Sequence, residues 1–324
     1  MQLKWIEDLL VLERTRSFSR AAELRHITQS ALSRRIRSLE DWAGAQLVDR
    51  TIYPLALTSA GIRFCEAAGQ ACALLLDARA AARREQTLPG AAIDIAAGNT
   101  LSLTFLPSWL KLCRGRFGEF NARVVAANVL DAVVALSEGS CDLMLGYNHP
   151  QVPVSLDPDR FRSLTVGGDM LLPVSVPDAQ GRPLWSLDAA VERPIPFLGY
   201  TASTTLGRMV DGILEQKRAH GRLVRCYEAD MAMLLLKMAG EGNGVAWLPY
   251  STAADALASG VLVRAGNASW CSTLEICAWR PMQSANPTLH ALWQMLESGQ
   301  AEAQREEARP HVRTAVAPMP ATAR

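Results

Sequence analysis

Three successive runs near the start of the chain place their apolar residues at helical spacing. In the first, Leu3, Ile6, Leu9, Leu10 and Leu12 alternate with Lys4, Glu7, Asp8 and Glu13, which predicts an amphipathic helix over 3–15 with those charges turned outward. In the second, Ser17-Phe18-Ser19-Arg20-Ala21-Ala22-Glu23-Leu24 reads as a short helix with Ser17 as cap and Arg20 in the first turn. Ala21 and Ala22 are small enough for a neighbouring helix to cross closely. Arg25-His26-Ile27 turns the chain into the third run, Thr28 to Glu40, with Thr28 as N-cap and Ala31, Leu32, Ile36 and Leu39 inside. Gln29, Ser30, Ser33, Arg34 and Arg37 are left on its outer face. A short helix, a tight turn and a second helix with a polar basic face is the helix-turn-helix plan.

The chemistry of that face suits a DNA major groove. Glutamine reads an adenine edge with two hydrogen bonds, arginine suits guanine or phosphate, and serine and threonine reach either. The candidate DNA contacts are therefore Ser17, Ser19, Arg20, Thr28, Gln29, Ser30, Ser33, Arg34 and Arg37. A solvated face of an ordinary helix would explain the arginines alone, but not the capped helix and turn before them. After Gly44, the segments 47–50 and 53–58 are short and extended, which predicts a hairpin or wing with Arg50 as a phosphate contact. From 59 to 85 the chain is alanine-rich and free of proline, so it reads as one long helix. Its stripe of Ile62, Cys65, Gly69, Cys72 and Leu76 suits either a close partner helix or packing on its own domain.

The run from Trp5 to Gly61, with SFSRAAELRHITQSALSRRIRSLE, the 47–50 segment and LALTSAG, resembles the LysR-type transcriptional regulators. The chain departs from the family pattern at Ser30, where proline is usual, and at Val48, often phenylalanine; a serine is compatible with a first helical turn. The wording KWIEDLL, SRRIRSLE, YPLALT, NTLSLTFLP and GVAWLP further resembles the family's hypochlorite-responsive branch. The resemblance implies an antiparallel pairing of the 59–85 helices, a homo-oligomer (dimer or tetramer) on double-stranded operator DNA, and RNA polymerase as a further partner.

Beyond a Pro-Gly hinge at 86–91, apolar runs of strand length alternate with helical ones. Strands are expected at 93–97, 123–127, 142–145 and 273–279, with two extended segments over 161–176 and a strand after the turn Gly240 to Gly244. Helices are expected at 100–114, 130–138, 204–220, 230–240 and 287–297. This is an α/β pattern, and with the resemblance it implies a winged helix-turn-helix domain (1–58) followed by a periplasmic-binding-protein-like effector domain (92–299) of two subdomains. Subdomain I would comprise about 92–165 and 268–299, and subdomain II about 166–267. The stretch 300–324 has almost no large apolar side chain and is expected to be a disordered tail.

In such a fold ligands sit at the carboxyl ends of strands. That singles out Asn99, Thr100, Leu101 and Ser102 in the first subdomain and Thr201, Ala202, Ser203 and Thr204 in the second, with Asn128, Tyr147 and Asn148 as wall residues. Each cluster could also be no more than a helix cap. Two triggers remain open: an unknown small-molecule effector in the cleft, or an oxidant acting on Met209, Met231, Met233 and Met238, which could equally be core filler.

Composition narrows the field without changing this picture. A net charge of +1 confines any nucleic-acid binding to a local patch. The seven cysteines lack paired zinc-site spacing, the five histidines are scattered, and no G-x-S-x-G elbow or phosphate-binding loop occurs. No enzyme chemistry, metal or cofactor is expected. No run is apolar enough for a signal peptide core or a membrane span, so a cytoplasmic protein is expected.

Overall fold

The computed structural model describes residues 2–25, 27–52, 55–85, 92–189, 193–284 and 286–307. The chain divides into two compact units, Met1–Thr87 and Leu88–Arg324.

The first unit is built from α1 (Leu3–Thr15), α2 (Phe18–Leu24), α3 (Gln29–Ala43), the antiparallel pair β1 (Val48–Asp49) and β2 (Ala56–Leu57), and α4 (Ser59–Glu85). Local caps set the starts: Ser17 Oγ accepts the Arg20 N–H and Thr28 Oγ1 accepts the Ala31 N–H. Gly44, at φ 68°, ends α3 in the left-handed region that glycine adopts without penalty. Leu9, Leu12, Leu32, Ile36 and Leu39 are fully buried together, with Ala21 between the helices.

One expectation for this unit needs correction. Asp8 does not face water: it is completely buried, because Arg25 and Arg35 both reach it. Of the two alternatives left open for the stripe on the long helix, its middle takes packing on its own domain. Cys65, Ala68 and Cys72 are buried in the unit's own core, and a Cβ on Gly69 would lie 3.9 Å from Leu10 of α1. Ile62, Leu74 and Leu75 are the exposed apolar positions instead, while the Leu76 side chain and the hinge 86–91 lie outside the described residues.

The second unit starts with β3 (Ala92–Gly98), α5 (Asn99–Thr104), α6 (Leu106–Phe117), β4 (Asn121–Ala127), α7 (Val129–Ser137) and β5 (Leu143–Asn148). It continues with β6 (Phe161–Ser175), β7 (Ile195–Tyr200), α8 (Thr205–Gln216), β8 (Leu223–Ala229), α9 (Ala232–Gly240), β9 (Val245–Pro249) and α10 (Tyr250–Ala258). The short β10 (Val263–Arg264), β11 (Ser272–Pro281) and α11 (Pro287–Glu307) complete it. The strand order is β4-β3-β5-β11-β6-β9-β7-β8, with β10 on β6. Parallel β3, β4 and β5 form one lobe and parallel β7, β8 and β9 the other; antiparallel β6 and β11 run from one to the other, as the two-subdomain expectation requires.

Both faces of the first lobe's sheet are covered, which its apolar strands demand. Ile93, Ile95, Leu143 and Leu145 pack with Trp109 of α6 and Trp293 of α11 on one side, and Ala96 and Met144 pack with Leu136 of α7 on the other. Trp247, Leu172, Phe197 and Val210 centre the second lobe.

Three elements differ from the sequence reading. The single helix expected over 100–114 breaks at Phe105, where Pro107 follows and cannot donate a backbone N–H to residue 103. The break seats the Phe105 ring against Gly167, where a Cβ would come within 2.8 Å of it. The two segments expected over 161–176 are one strand, because β11 pairs with it from Phe161↔Pro281 to Leu171↔Ser272. The last helix continues past 297 to Glu307, into the stretch expected as tail; 308–324 lie outside the described residues.

Candidate functional site

On α3 Gln29, Ser30, Arg34 and Arg37 are exposed, with Ser33 half-buried beside them, and Asp41 and Trp42 are exposed at its C-terminal end. Arg34 and Arg37 are one turn apart and make no ion pair among the described residues, and the same holds for exposed Arg20 on α2. Ser19 Oγ of α2 donates to Gln29 Oε1 at 3.3 Å, which steadies the glutamine while leaving its amide N–H groups outward. Thr28 Oγ1 lies 3.0 Å from Ser30 Oγ, so the two hydroxyls sit side by side at the start of the helix.

Three other arginines of this unit, Arg25, Arg35 and Arg50, make ion pairs within it. Arg25 pairs with Asp8 and Glu7, each at 2.7 Å, and Arg35 reaches Asp8 at 3.2 Å. Arg50, expected as a phosphate contact, holds Glu40 Oε2 at 2.7 Å while its side chain stays about a third exposed. Glu40 Oε1 also accepts the backbone N–H groups of Leu47 and Val48 at 3.0 and 3.1 Å, so one carboxylate joins α3 to the wing. Asp8 and Glu40 were missed as positioning groups. The signal for Asp8 was present: Val11 and Leu12 follow it by three and four residues, which puts it on the inner face of α1.

In the second unit, Thr100, Leu103 and Thr104 of α5 face Met231, Ala232, Met233 and Thr252 across a groove between the lobes with essentially no free volume (about 0 Å³). The structure brings Thr100 into this groove but commits several other candidates to the fold. Ser102 Oγ donates back to the carbonyls of Ala97 and Gly98, and Leu101 is fully buried. Asn99 is half-buried at the first position of α5. Asn128 caps α7 through Asp131 N–H, and its Nδ2 donates to Asp131 Oδ2 at 2.7 Å. Asn148 donates to Glu275 at 3.2 Å.

The cap of α8 is Thr204, the last residue of the expected cluster: its Oγ1 accepts the Gly207 N–H and donates to the Thr201 carbonyl. Thr201 and Ser203 hydroxyls lie 3.3 Å apart, Ala202 is exposed, and none of the three lines the Thr100 groove.

Next to the groove a polar network joins the lobes. Asp169, midway along β6, accepts the Met170 and Ser251 N–H groups on Oδ1 and the Ser251 hydroxyl (2.6 Å) and Tyr147 phenol (3.1 Å) on Oδ2. Ser251 Oγ of α10 also lies 3.1 Å from Thr104 Oγ1 of α5. Burial, and then the Asp169 charge, push the Tyr147 phenol well above its ordinary range, so it stays a proton donor. The buried hydroxyls of Tyr200 and Thr252 have no hydrogen-bond partner among the described residues. Tyr147 was read as a wall residue; Asp169, Ser251 and Thr252 were missed.

Of the four methionines, Met231 and Met233 line the groove, half-buried. Met231 is not inside a helix as expected: its extended backbone precedes α9. Met209 is buried on α8 and Met238 is packed against the second lobe's core. Among the described residues no cluster of His, Cys, Asp and Glu could hold a metal ion, and no helix is long and apolar enough to cross a membrane.

Comparison with known proteins bears on both units. The profile described as "Bacterial regulatory helix-turn-helix protein, lysR family" matches residues 3–62, and "LysR substrate binding domain" matches residues 86–301. The HTH-type transcriptional regulator YjiE of Escherichia coli K12 is 30% identical over 298 residues, covering 91% of this chain and 94% of that protein. Vibrio fischeri DarR, solved in complex with DNA, is similar at 31% identity and a TM-score of 0.56, covering 91% of this chain and 98% of that one. Full-length HypT from Salmonella typhimurium, described as a hypochlorite-specific LysR-type transcriptional regulator, is similar at 28% identity and a TM-score of 0.56, covering 93% and 99%.

Proposed function

The chain belongs to the LysR family and is a DNA-binding regulator with an effector-binding domain; we propose that it reads operator DNA through Gln29, Ser30, Ser33, Arg34 and Arg37. The observation that carries this assignment is the exposed polar face of α3, whose two arginines lack the carboxylate partners that Arg25, Arg35 and Arg50 have. Arg20, Ser17, Ser19 and Thr28 supply phosphate contacts around it. Ile62, Leu74 and Leu75, exposed on α4, pair with a second copy so that two reading helices address two half-sites.

The signal enters at the groove between the lobes. A small molecule there must part Ser251 from Thr104 and Asp169, because the groove as it stands has no room, and parting them changes the angle between lobes. A second reading is oxidation, favoured by the placement of Met231 and Met233 on the groove and by the likeness to a hypochlorite-specific regulator. Hypochlorite transfers its oxygen to the thioether, giving sulfoxide and chloride, and an apolar contact becomes polar.

The two triggers separate in a mobility-shift titration with operator DNA, with and without stoichiometric hypochlorite, using wild type and the double variant Met231→Leu/Met233→Leu. Oxidant-dependent binding that the double variant lacks supports oxidation. Equal responses in both proteins, with Met231 and Met233 shown oxidised in the wild type by mass spectrometry, remove it and leave the small-molecule reading.

A further inference from the structure

The first lobe contains a cavity of about 230 Å³ between α6, β6 and α11, open to solvent on one side. Its walls are the indole of Trp109 and the side chains of Leu164, Val166, Met295 and Leu296, all apolar, and Arg116 stands at its edge. It shares no lining residue with the groove at Thr100. Protein interiors leave few voids larger than a water molecule, and an apolar cavity of roughly 150 Å³ already accepts benzene. The space here therefore admits one small ring or a short alkyl chain together with a polar end.

Charge defines that end. Arg116 is exposed, makes no ion pair among the described residues, and its Nη1 would lie 3.7 Å from a Cβ on Gly299, a residue that also lines the cavity. Arg162, the next arginine between β6 and α11, is by contrast paired with Glu297 at 3.6 Å. A guanidinium with no carboxylate partner among the described residues, beside a largely apolar cavity, matches a ligand with an apolar body and one carboxylate. A dianion would leave one charge unmatched, since Arg116 is the one cation among the described lining residues.

We propose that this cavity is a second small-molecule site, distinct from the interlobe groove, that takes an amphipathic monocarboxylate with its apolar body against Trp109 and Leu164 and its carboxylate on Arg116. The site gives the first lobe an input of its own, independent of whichever trigger acts between the lobes.

Hexanoate and 3-phenylpropionate are the probes, with 1-hexanol as the uncharged control, titrated calorimetrically into the full-length protein at fixed salt. Both acids are expected to bind saturably at millimolar or lower concentration and more tightly than the alcohol. Arg116→Gln should weaken the acids by about tenfold and leave the alcohol unchanged. Met295→Trp, which fills the cavity from α11, should abolish binding of all three with the thermal melt retained. Thr100→Val in the groove, whatever it does to signalling there, should leave the affinity for both acids at the wild-type value. Absence of saturable binding by either acid overturns the proposal, as does equal acid affinity in Arg116→Gln, or loss of binding in Thr100→Val. Should Met295→Trp fail to fold, the Arg116→Gln comparison decides.

Discussion

A carboxylate without solvent exposure needs cationic partners, and Asp8 has them in Arg25 at the end of α2 and Arg35 on α3. α1, α2 and α3 thus meet at one side chain, and each arginine side chain is about three-quarters buried (26% exposed). Replacing Asp8 with Ala leaves two partly buried cations unmatched, and a loss of about 2–4 kcal/mol is expected in urea unfolding. A change under half a kilocalorie would show that the pairing contributes little. The outward residues obey a different rule. Gln29→Ala should leave the melting temperature unchanged and cost about 1–3 kcal/mol of operator binding if the amide meets a base edge. Affinity indistinguishable from wild type would remove Gln29 from the reading face.

At the scale of elements, Glu40 couples α3 to the wing through two backbone N–H groups and Arg50. Glu40→Gln keeps the shape but weakens the charge-assisted bonds, so stability should fall by about 1–2 kcal/mol and operator affinity should fall with it, measured on the same preparation by unfolding and by titration. Retained affinity would mean that the wing needs no such anchor. The starts of α2 and α3 were legible because Ser17 and Thr28 are caps acting within three residues, whereas Asn128, expected as a wall residue, proves to cap α7. The break in α5–α6 was marked locally by Pro107 but read through as one helix, and only the seat of Phe105 against Gly167 is tertiary. The full length of β6 was not legible, because it depends on pairing with β11, far along the chain. The stripe on α4 was read correctly as apolar, but which partner it meets is tertiary information: Cys65 and Cys72 found α1. Burial pushes the Cys65 thiol up to about 12, so it stays protonated at neutral pH and is a packing group rather than a reactive thiolate.

Across the whole molecule, one unit carries the helix-turn-helix and the other two lobes joined by antiparallel strands, and both were visible in the alternation of apolar runs. The interlobe site was half legible. Thr100 lies at a strand-to-helix junction, where the general rule for such sheets points. Asp169, Ser251 and Thr252 converge on it from elements distant in sequence, so no local spacing marked them. Ser251→Ala removes the hydroxyl bonded to Asp169, and the lobes should then separate more readily, seen as a larger radius of gyration in small-angle scattering; an unchanged radius would show that packing alone holds them. The account rests most on Arg34 and Arg37. The decisive measurement is a mobility-shift titration of the full-length protein on the DNA upstream of its own gene, at fixed salt with unrelated competitor DNA, comparing wild type with Arg34→Ala/Arg37→Ala. A sequence-specific complex that the folded double variant forms at least about tenfold more weakly is the expected result. Equal affinity of the two proteins for that DNA would contradict the assignment of α3 as the reading helix.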